Sequence, residues 1–271
     1  MLAETRRRSI VEALRTSGAV TIGELESRFG VSPMTARRDL AELERRGVLR
    51  RTHGGAILPT VSAHEDSFAR RLKLQVEAKR RLAEQAVGAM SAREAVFLDS
   101  STTSYFVARR MVETRMAATV LTNSLPVMEL VFHEGGGDLD LVCVGGTLRR
   151  LTRSFVGPAA VRTVLAHYAD RLILSVKGLT ANGVMTDADP LEAEVKRTMI
   201  AQSGVSVMLV DDSKLSIRGL SVIAAASEVT TVLADGLSAE QAAGLRASGA
   251  SVELVRASGD GRPYARPDAV A

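Results

Sequence analysis

Apolar residues recur at helical spacing through the first fifty positions. Ile10, Val11 and Leu14 fall at i, i+1 and i+4 and predict an amphipathic helix ending near Ser17 and Gly18. Thr21-Ile22-Gly23-Glu24 has the form of a capping box, in which the hydroxyl and the carboxylate each accept a backbone N–H that the helix start leaves unpaired. Leu25 and Phe29 then supply an apolar stripe, and Gly30 ends the helix. Ser32 as N-cap and Pro33 at the first helical position open a further helix, whose Ala36, Leu40 and Leu43 mark a buried face as far as Gly47. Beyond it, segments 48–52 and 56–58 flank His53-Gly54-Gly55 and predict a short hairpin with a glycine turn.

The period then changes. Between 59 and 75 the pattern is weak, Pro59 removes a donor and charges cluster, which places a linker there. Apolar runs rich in β-formers follow at 95–98, 119–121, 139–144, 171–176, 206–210, 230–233 and 251–255. They alternate with helix-like stretches at 104–112, 126–132, 158–166, 192–202 and 239–247. Such alternation predicts an α/β, Rossmann-like domain with a mainly parallel sheet covered by helices. The expected layout is a winged helix-turn-helix over 1–58, a linker over 59–75, an α/β domain over 76–257 and a disordered tail over 258–271, where Gly259, Gly261, Pro263 and Pro267 gather.

Composition narrows the classes. The 271 residues are 46% hydrophobic, 24% charged and 3% aromatic, which excludes fibrous, disordered and disulfide-stapled chains. The single Cys143 lies within Leu141-Val142-Cys143-Val144 and reads as a small buried hydrophobe. No apolar signal core follows Met1 and no stretch approaches the ~18 apolar residues of a membrane span, so a cytoplasmic protein without a membrane partner is expected. His53, His64, His133 and His167 are scattered and no HExxH or CxxC spacing occurs; neither a metal nor another cofactor is expected.

Charge is uneven. Residues 1–60 hold 11 basic and 7 acidic residues, and the remainder holds 24 of each, so the whole surplus of +4 sits in the N-terminal module. A basic head on a neutral body suggests a polyanion reader. In a helix-turn-helix the second helix enters the major groove by its first residues, here Ser32, Pro33, Met34, Thr35, Arg37 and Arg38. Arginine can hold guanine O6 and N7 together, and hydroxyls and helix N–H groups can hold phosphates. Arg50, Arg51 and His53 on the wing would add backbone or minor-groove contacts, with Arg45 and Arg46 close by. The alternative, a solvated basic face, fits the order of cap, turn, cap and hairpin poorly. The absence of Trp and the presence of only three Tyr argue against single-strand stacking platforms.

The stretch 7–58, with Val31-Ser32-Pro33-Met34-Thr35-Ala36-Arg37-Arg38-Asp39-Leu40 and then Leu49-Arg50-Arg51-Thr52-His53-Gly54-Gly55-Ala56, closely resembles the DeoR family of bacterial transcriptional regulators, and the resemblance extends to about Asp235. It implies a winged-helix DNA reader joined to a sensor domain like sugar-phosphate isomerases. Family members are typically repressors of carbohydrate catabolic genes, released by a phosphorylated sugar.

Ligands of open parallel sheets bind beyond the C-terminal ends of strands. The polar residues fall there: Asp99, Ser100, Ser101, Thr102 and Thr103 after the first run, Asn123 and Ser124 after the second, Gly145 and Gly146 after the third, Lys177 after the fourth and Lys214 after the fifth. The first group precedes a helix whose N–H groups and dipole could face an anion. The resemblance matches 99–103 to the family's Asp-Ser-Gly-Thr-Thr loop, with Ser101 where Gly is usual, so that the loop is narrower or uses another hydroxyl. It also matches Asn123 with Ser124, Gly145 with Gly146, Lys196 in its helix, and Lys214 in an Asp-x-Ser-Lys pattern. Glu192 and Lys196 otherwise read as a surface i, i+4 pair worth ~0.3–0.5 kcal/mol, and Arg149, Arg150 and Arg153 read as solvent-facing. The competing function is a sugar-phosphate isomerase using Asp99 or Glu192 as base; the N-terminal module argues for the regulator. Symmetric operators call for a homo-oligomer, a dimer or tetramer, of such heads on double-stranded DNA.

Overall fold

The computed structural model describes residues 2–17, 19–45, 49–52, 54–57 and 66–255. His53, Arg46, Val48, Leu58, residues 59–65 of the expected linker and the expected tail at 258–271 lie outside the described residues, as do the side chains of Arg45 and Arg50.

In the N-terminal unit, α1 (Ala3–Ser17), α2 (Ile22–Phe29) and α3 (Pro33–Arg45) surround one small core. Ile10, Leu14, Leu25, Ala36, Leu40 and Leu43 meet there, each large aliphatic chain contributing about 1.5–3 kcal/mol by leaving water. Both halves of the Thr21 capping box form: the Glu24 N–H donates to the Thr21 hydroxyl at 3.2 Å and the Thr21 N–H to the Glu24 carboxylate at 2.7 Å. Gly30 closes α2 with φ +62°, a left-handed conformation that glycine adopts without a Cβ penalty.

The hairpin of β2 (Arg50–Thr52) and β3 (Gly55–Ile57) is antiparallel, and β1 (Ala19–Thr21) adds to its far side, giving the order β1-β3-β2. That third strand was not foreseen. It is three residues long and exists only through pairing with residues some 35 positions later, such as Val20 with Ala56. Gly55 is what permits it, because a Cβ there would lie 2.0 Å from the Val20 carbonyl oxygen.

The second unit opens with α4 (Phe68–Leu72) and α5 (Val76–Gly88). A sheet follows, interleaved with helices: β4 (Glu94–Leu98), α6 (Thr102–Glu113), β5 (Ala118–Thr122), α7 (Leu125–Glu134) and β6 (Leu139–Cys143). After a hairpin of β7 (Thr147–Arg149) and β8 (Ser154–Val156) come α8 (Pro158–Leu165) and β9 (Ala169–Leu174). The chain continues through β10 (Gly178–Leu179), β11 (Val184–Asp187), α9 (Pro190–Ala201), β12 (Ser203–Asp211), a 3-10 turn at Asp212–Ser216 and β13 (Ser221–Ala225). It ends in β14 (Thr231–Asp235), α10 (Ala239–Ala247) and β15 (Val252–Leu254).

Seven strands form one fully parallel sheet in the order β15-β14-β12-β9-β4-β5-β6, as the alternation predicts. Helices α5, α6 and α7 cover one face and α8, α9 and α10 the other, each over its own apolar cluster. Four features escape the periodicity: α4, which lies within the expected linker at 59–75; α5, which spans the expected start of the domain; the β7–β8 hairpin; and the antiparallel β10-β11-β13 sheet, whose short strands pair across the sequence. Cys143 corrects another expectation. It ends the edge strand β6 and is exposed, because an edge strand at its last residue has no neighbour to cover it.

The topology fixes where a ligand could sit. From β4 the chain moves outward to β5 and β6, then returns to β9 on the other side of β4 and moves outward again. The seam between the C-terminal ends of β4 and β9 is the point where strand order reverses, and there the connecting loops splay apart.

Candidate functional site

On α3 the buried positions Ala36, Leu40 and Leu43 turn the intervening residues outward. Ser32, Pro33, Met34, Arg37 and Arg38 are exposed, Met34 at 72%, while Thr35 is half-buried and donates its N–H to the Ser32 hydroxyl at 3.3 Å. An exposed methionine beside two arginines leaves a convex, chemically mixed helix end. Arg51 lies on the wing strand β2, where its Nε is 2.6 Å from the Glu44 carboxylate, which also accepts its N–H at 2.9 Å. That arginine anchors the wing to α3.

The sequence reading missed Asp39. This buried carboxylate accepts from Arg6 Nε at 2.6 Å and from Arg7 Nε at 3.0 Å, so two arginines of α1 hold α1 against α3. An acid lying between Ala36 and Leu40 on the inner face was the available signal.

At the β4/β9 seam the groups are buried and paired. Asp99 follows β4, and its Oδ1 accepts from the Ser101 N–H at 3.1 Å, the Ser101 hydroxyl at 2.6 Å and the Ser104 hydroxyl at 2.5 Å. Its Oδ2 accepts from the Ser175 N–H at 3.2 Å and lies 3.2 Å from Lys196 Nζ. Ser101 is thereby both the N-cap of α6, accepting the Ser104 N–H at 3.0 Å, and a brace for Asp99. Thr102 and Thr103 are buried in the first turn of that helix.

Lys196, on α9, also donates to Asp187 at 2.6 Å and to the Ser175 carbonyl at 2.8 Å. Burial alone would lower its pKa, but Asp187, Asp99 and Glu192 outweigh that and hold the ammonium above its ordinary value. Burial likewise pushes the Asp187 carboxyl up, and Lys196 more than reverses it. The surface-pair expectation for Glu192 and Lys196 is therefore wrong: both are buried, because this face of α9 packs on the sheet ends.

Glu192 organises a second cluster. It accepts from the Ser100 hydroxyl at 2.9 Å, from Arg149 Nη1 at 2.9 Å and from the Ser154 hydroxyl. Arg149 reaches Asp189 as well, at 3.2 Å, and so does not face solvent; Arg153 pairs with Glu129 at 2.7 Å. The β7–β8 hairpin delivers these groups by folding back along the strand ends: the Phe155 N–H donates to the Asn123 carbonyl at 2.8 Å and Asn123 Nδ2 to the Phe155 carbonyl at 2.9 Å. Gly145 and Gly146 form the exposed lead into that hairpin. Asn123 Oδ1 and Ser124 Oγ are buried without a partner among the described residues.

Lys177 and Lys214 are half-buried on the β9 and β12 side. Burial lowers the Lys214 pKa; Asp211 opposes this, while Arg71, Lys177 and Lys196 add to it. With Lys79, five cations thus share one region, and two of them, Arg71 and Lys79, are beyond sequence expectation. Lys79, from the unforeseen α5, lies beside Lys214, and burial first and that neighbour second lower its pKa to about 8. These cations lie among the carboxylates Asp211 and Asp187, which act on Lys79 and Lys214 and on Arg71 respectively. Asp99 and Glu192 have their oxygens committed to donors. Among the described residues no group of three or more His, Cys, Asp or Glu could hold a metal ion, and no helix is long and apolar enough to cross a membrane.

Two family models match the chain: the DeoR-like helix-turn-helix domain over residues 6–61 and the DeoR C terminal sensor domain over residues 74–236. The chain is 33% identical over 253 residues to the HTH-type transcriptional regulator GlpR of Haloferax volcanii, covering 93% of this chain and 98% of that protein. It is 33% identical over 233 residues to the transcriptional repressor AccR of Agrobacterium fabrum, with 86% and 89% covered. A solved ribose 5-phosphate isomerase A from Methanocaldococcus jannaschii aligns at 14% identity and a TM-score of 0.38 over 52% of this chain and 54% of that one.

Proposed function

The chain belongs to the DeoR family of transcriptional regulators, and from that premise we propose that it is a repressor of carbohydrate catabolic genes whose hold on double-stranded DNA is controlled by a phosphorylated sugar. The observation that carries the effector is the cation cluster at the β4/β9 seam, where burial, Arg71, Lys177 and Lys196 disfavour the charged form of Lys214, together with the buried Asn123 Oδ1 and Ser124 Oγ, which have no partner among the described residues. A phosphate ester satisfies both conditions: its charge offsets the mutual repulsion, and its oxygens and the sugar hydroxyls give the orphaned polar atoms partners.

On this reading the DNA contact falls to Ser32, Pro33, Met34, Thr35, Arg37 and Arg38, with further contacts from Arg50, Arg51 and His53. Arg51 would have to leave Glu44 to reach a phosphate. Two or four heads acting together, in the cytoplasm, would meet a symmetric operator, since a single small head buries little surface. Sensing, in preference to catalysis, is supported by Asp99: a general base needs a free lone pair toward the substrate proton, and this carboxylate already accepts from four groups beside a protonated lysine.

The test is selection and sequencing of genomic fragments bound by the full chain at one fixed salt concentration, repeated with a panel of sugar phosphates. Salt is fixed because phosphate contacts make affinity steeply salt-dependent. Enrichment of a few repeats, lost with one phosphosugar, is the expected result. Enrichment unmoved by every phosphosugar would remove the effector assignment, and turnover of a phosphosugar abolished in Asp99→Ala would replace it with an isomerase.

A further inference from the structure

Met34 stands 72% exposed in the first turn of α3, outside the apolar cluster that Ile10, Leu14, Leu25, Ala36, Leu40 and Leu43 close. Folding of the head gains nothing from it there. Arg37 and Arg38, three and four residues further on and also exposed, share its side of the helix, so one surface carries a thioether beside two guanidinium forks.

The other groups of this helix end are engaged. The Ser32 and Thr35 hydroxyls lie 3.0 Å apart and share a hydrogen bond, and the Thr35 N–H donates to the Ser32 hydroxyl, so both serve the cap. Pro33 brings no N–H. Asp39 is buried and held by Arg6 and Arg7 of α1, which fastens α3 from its inner side. Met34, Arg37 and Arg38 remain as the long, exposed side chains at the start of the helix.

We propose that Met34 selects a thymine: its thioether end packs on the C5 methyl group of that base in the major groove and so fixes one letter of the operator. This rests on the DNA-reading role given above and names what one residue of that surface recognises. The base edges in the major groove present donors and acceptors, and the thymine methyl is the one apolar projection among them. A guanidinium has nothing to offer a methyl group, whereas an unbranched thioether with three rotatable bonds settles against it without needing a close fit. The contact takes the methyl and the side-chain tip out of water together. Cytosine in the same place presents its N4 donor, which a thioether, a weak acceptor, satisfies poorly. Along the helix axis Met34 is about 4.5 Å from Arg37 and about 6 Å from Arg38, one to two base-pair steps of ~3.4 Å. The thymine is therefore expected within about two base pairs of a guanine held by one of those arginines.

The test uses the full chain and the operator fragment enriched by genomic selection. Each thymine of one repeat is replaced singly by deoxyuridine, which deletes the methyl group and keeps every hydrogen-bonding atom, and binding is followed by fluorescence anisotropy at one fixed salt concentration. In wild type one replacement should weaken binding by roughly 3–10-fold, as expected for one lost methyl contact, and in Met34→Ala the same replacement should have no further effect. Melting temperature and affinity for an unrelated duplex should be the same in both proteins, since an exposed side chain outside the core is shortened and no phosphate contact is touched. Selection repeated with Met34→Gln should replace the thymine preference at that one position, adenine being the base whose N6 and N7 glutamine holds together. Deoxyuridine penalties identical in wild type and Met34→Ala at every thymine, or an unchanged preference in the Met34→Gln selection, would overturn the assignment and leave α3 as the reader. Failure of wild type to enrich any sequence would overturn the DNA-reading role and the assignment together.

Discussion

At the start of α3, Arg37 and Arg38 are exposed beside an exposed Met34, with Ala36 and Leu40 turned inward, whereas at the β4/β9 seam Lys196 and Asp99 are 6% and 1% exposed and tied to each other. The first arrangement suits a large, hydrated polyanion that brings its own surface. Exposed side chains cost nothing to keep and can adjust to a groove. The second suits a small ligand that must be enclosed, so charge has to be neutralised internally before anything arrives. Tolerance to substitution should differ accordingly: at the head, changes should act on affinity and leave folding alone, while at the seam they should act on folding first.

The sharpest way to break that contrast is Lys196→Met. It leaves Asp99 and Asp187 buried beside each other without their cation, and should cost about 3–5 kcal/mol in urea-induced unfolding of the α/β unit followed by circular dichroism. A midpoint near wild type would mean that water reaches the seam. Asp39→Asn refines the picture from the opposite side, because this head residue behaves like a seam residue. Losing the partner of Arg6 and Arg7 should lower stability by about 2–3 kcal/mol and weaken DNA binding only through unfolding.

Arg37→Ala and Arg38→Ala should each lose about 1–3 kcal/mol of operator affinity if the residue reads a base, with unfolding unchanged within about 0.5 kcal/mol. Full affinity in both variants would move the recognition surface off this helix. The smallest effect is one of pH. Lys79 titrates near 8 when folded against an ordinary 10.5, so between those values the unfolded chain holds more protons and stability should rise with pH. The gain of wild type over Lys79→Met should be about 1 kcal/mol from pH 7.5 to 9, measured as paired urea midpoints.

Local patterns in the sequence carried the head almost completely, because each of its signals is satisfied within a few residues: Thr21 with Glu24, Ser32 with Thr35, Gly30 with the end of α2. The seven sheet strands were legible for a related reason, since strands buried on both faces read as continuous apolar runs. Strand-end loops could also be found, because polar residues interrupt those runs. Their partnerships could not. Ser100 meets Glu192 across 92 positions and Asp99 meets Ser175 across 76, and nothing in either neighbourhood announces the other. The same distance hides Arg149, whose run of arginines looks like a solvated turn until the β7–β8 hairpin folds it onto α9. Arg71 and Lys79 lay at the expected linker boundary, where weak periodicity masked a short helix that belongs to the α/β unit.

The seam has a further consequence during synthesis. β4 and β9 pair only when residues such as Ala95 and Asp170, 75 positions apart, have both emerged. At elongation rates of roughly 5–20 residues per second, the growing chain carries β4 with one side unzipped for about 4–15 s. During that interval β4, β5 and β6 are a three-strand fragment with an apolar central edge open to other nascent chains. Until β9 arrives, that open edge is the part of the nascent chain most exposed to wrong strand pairing.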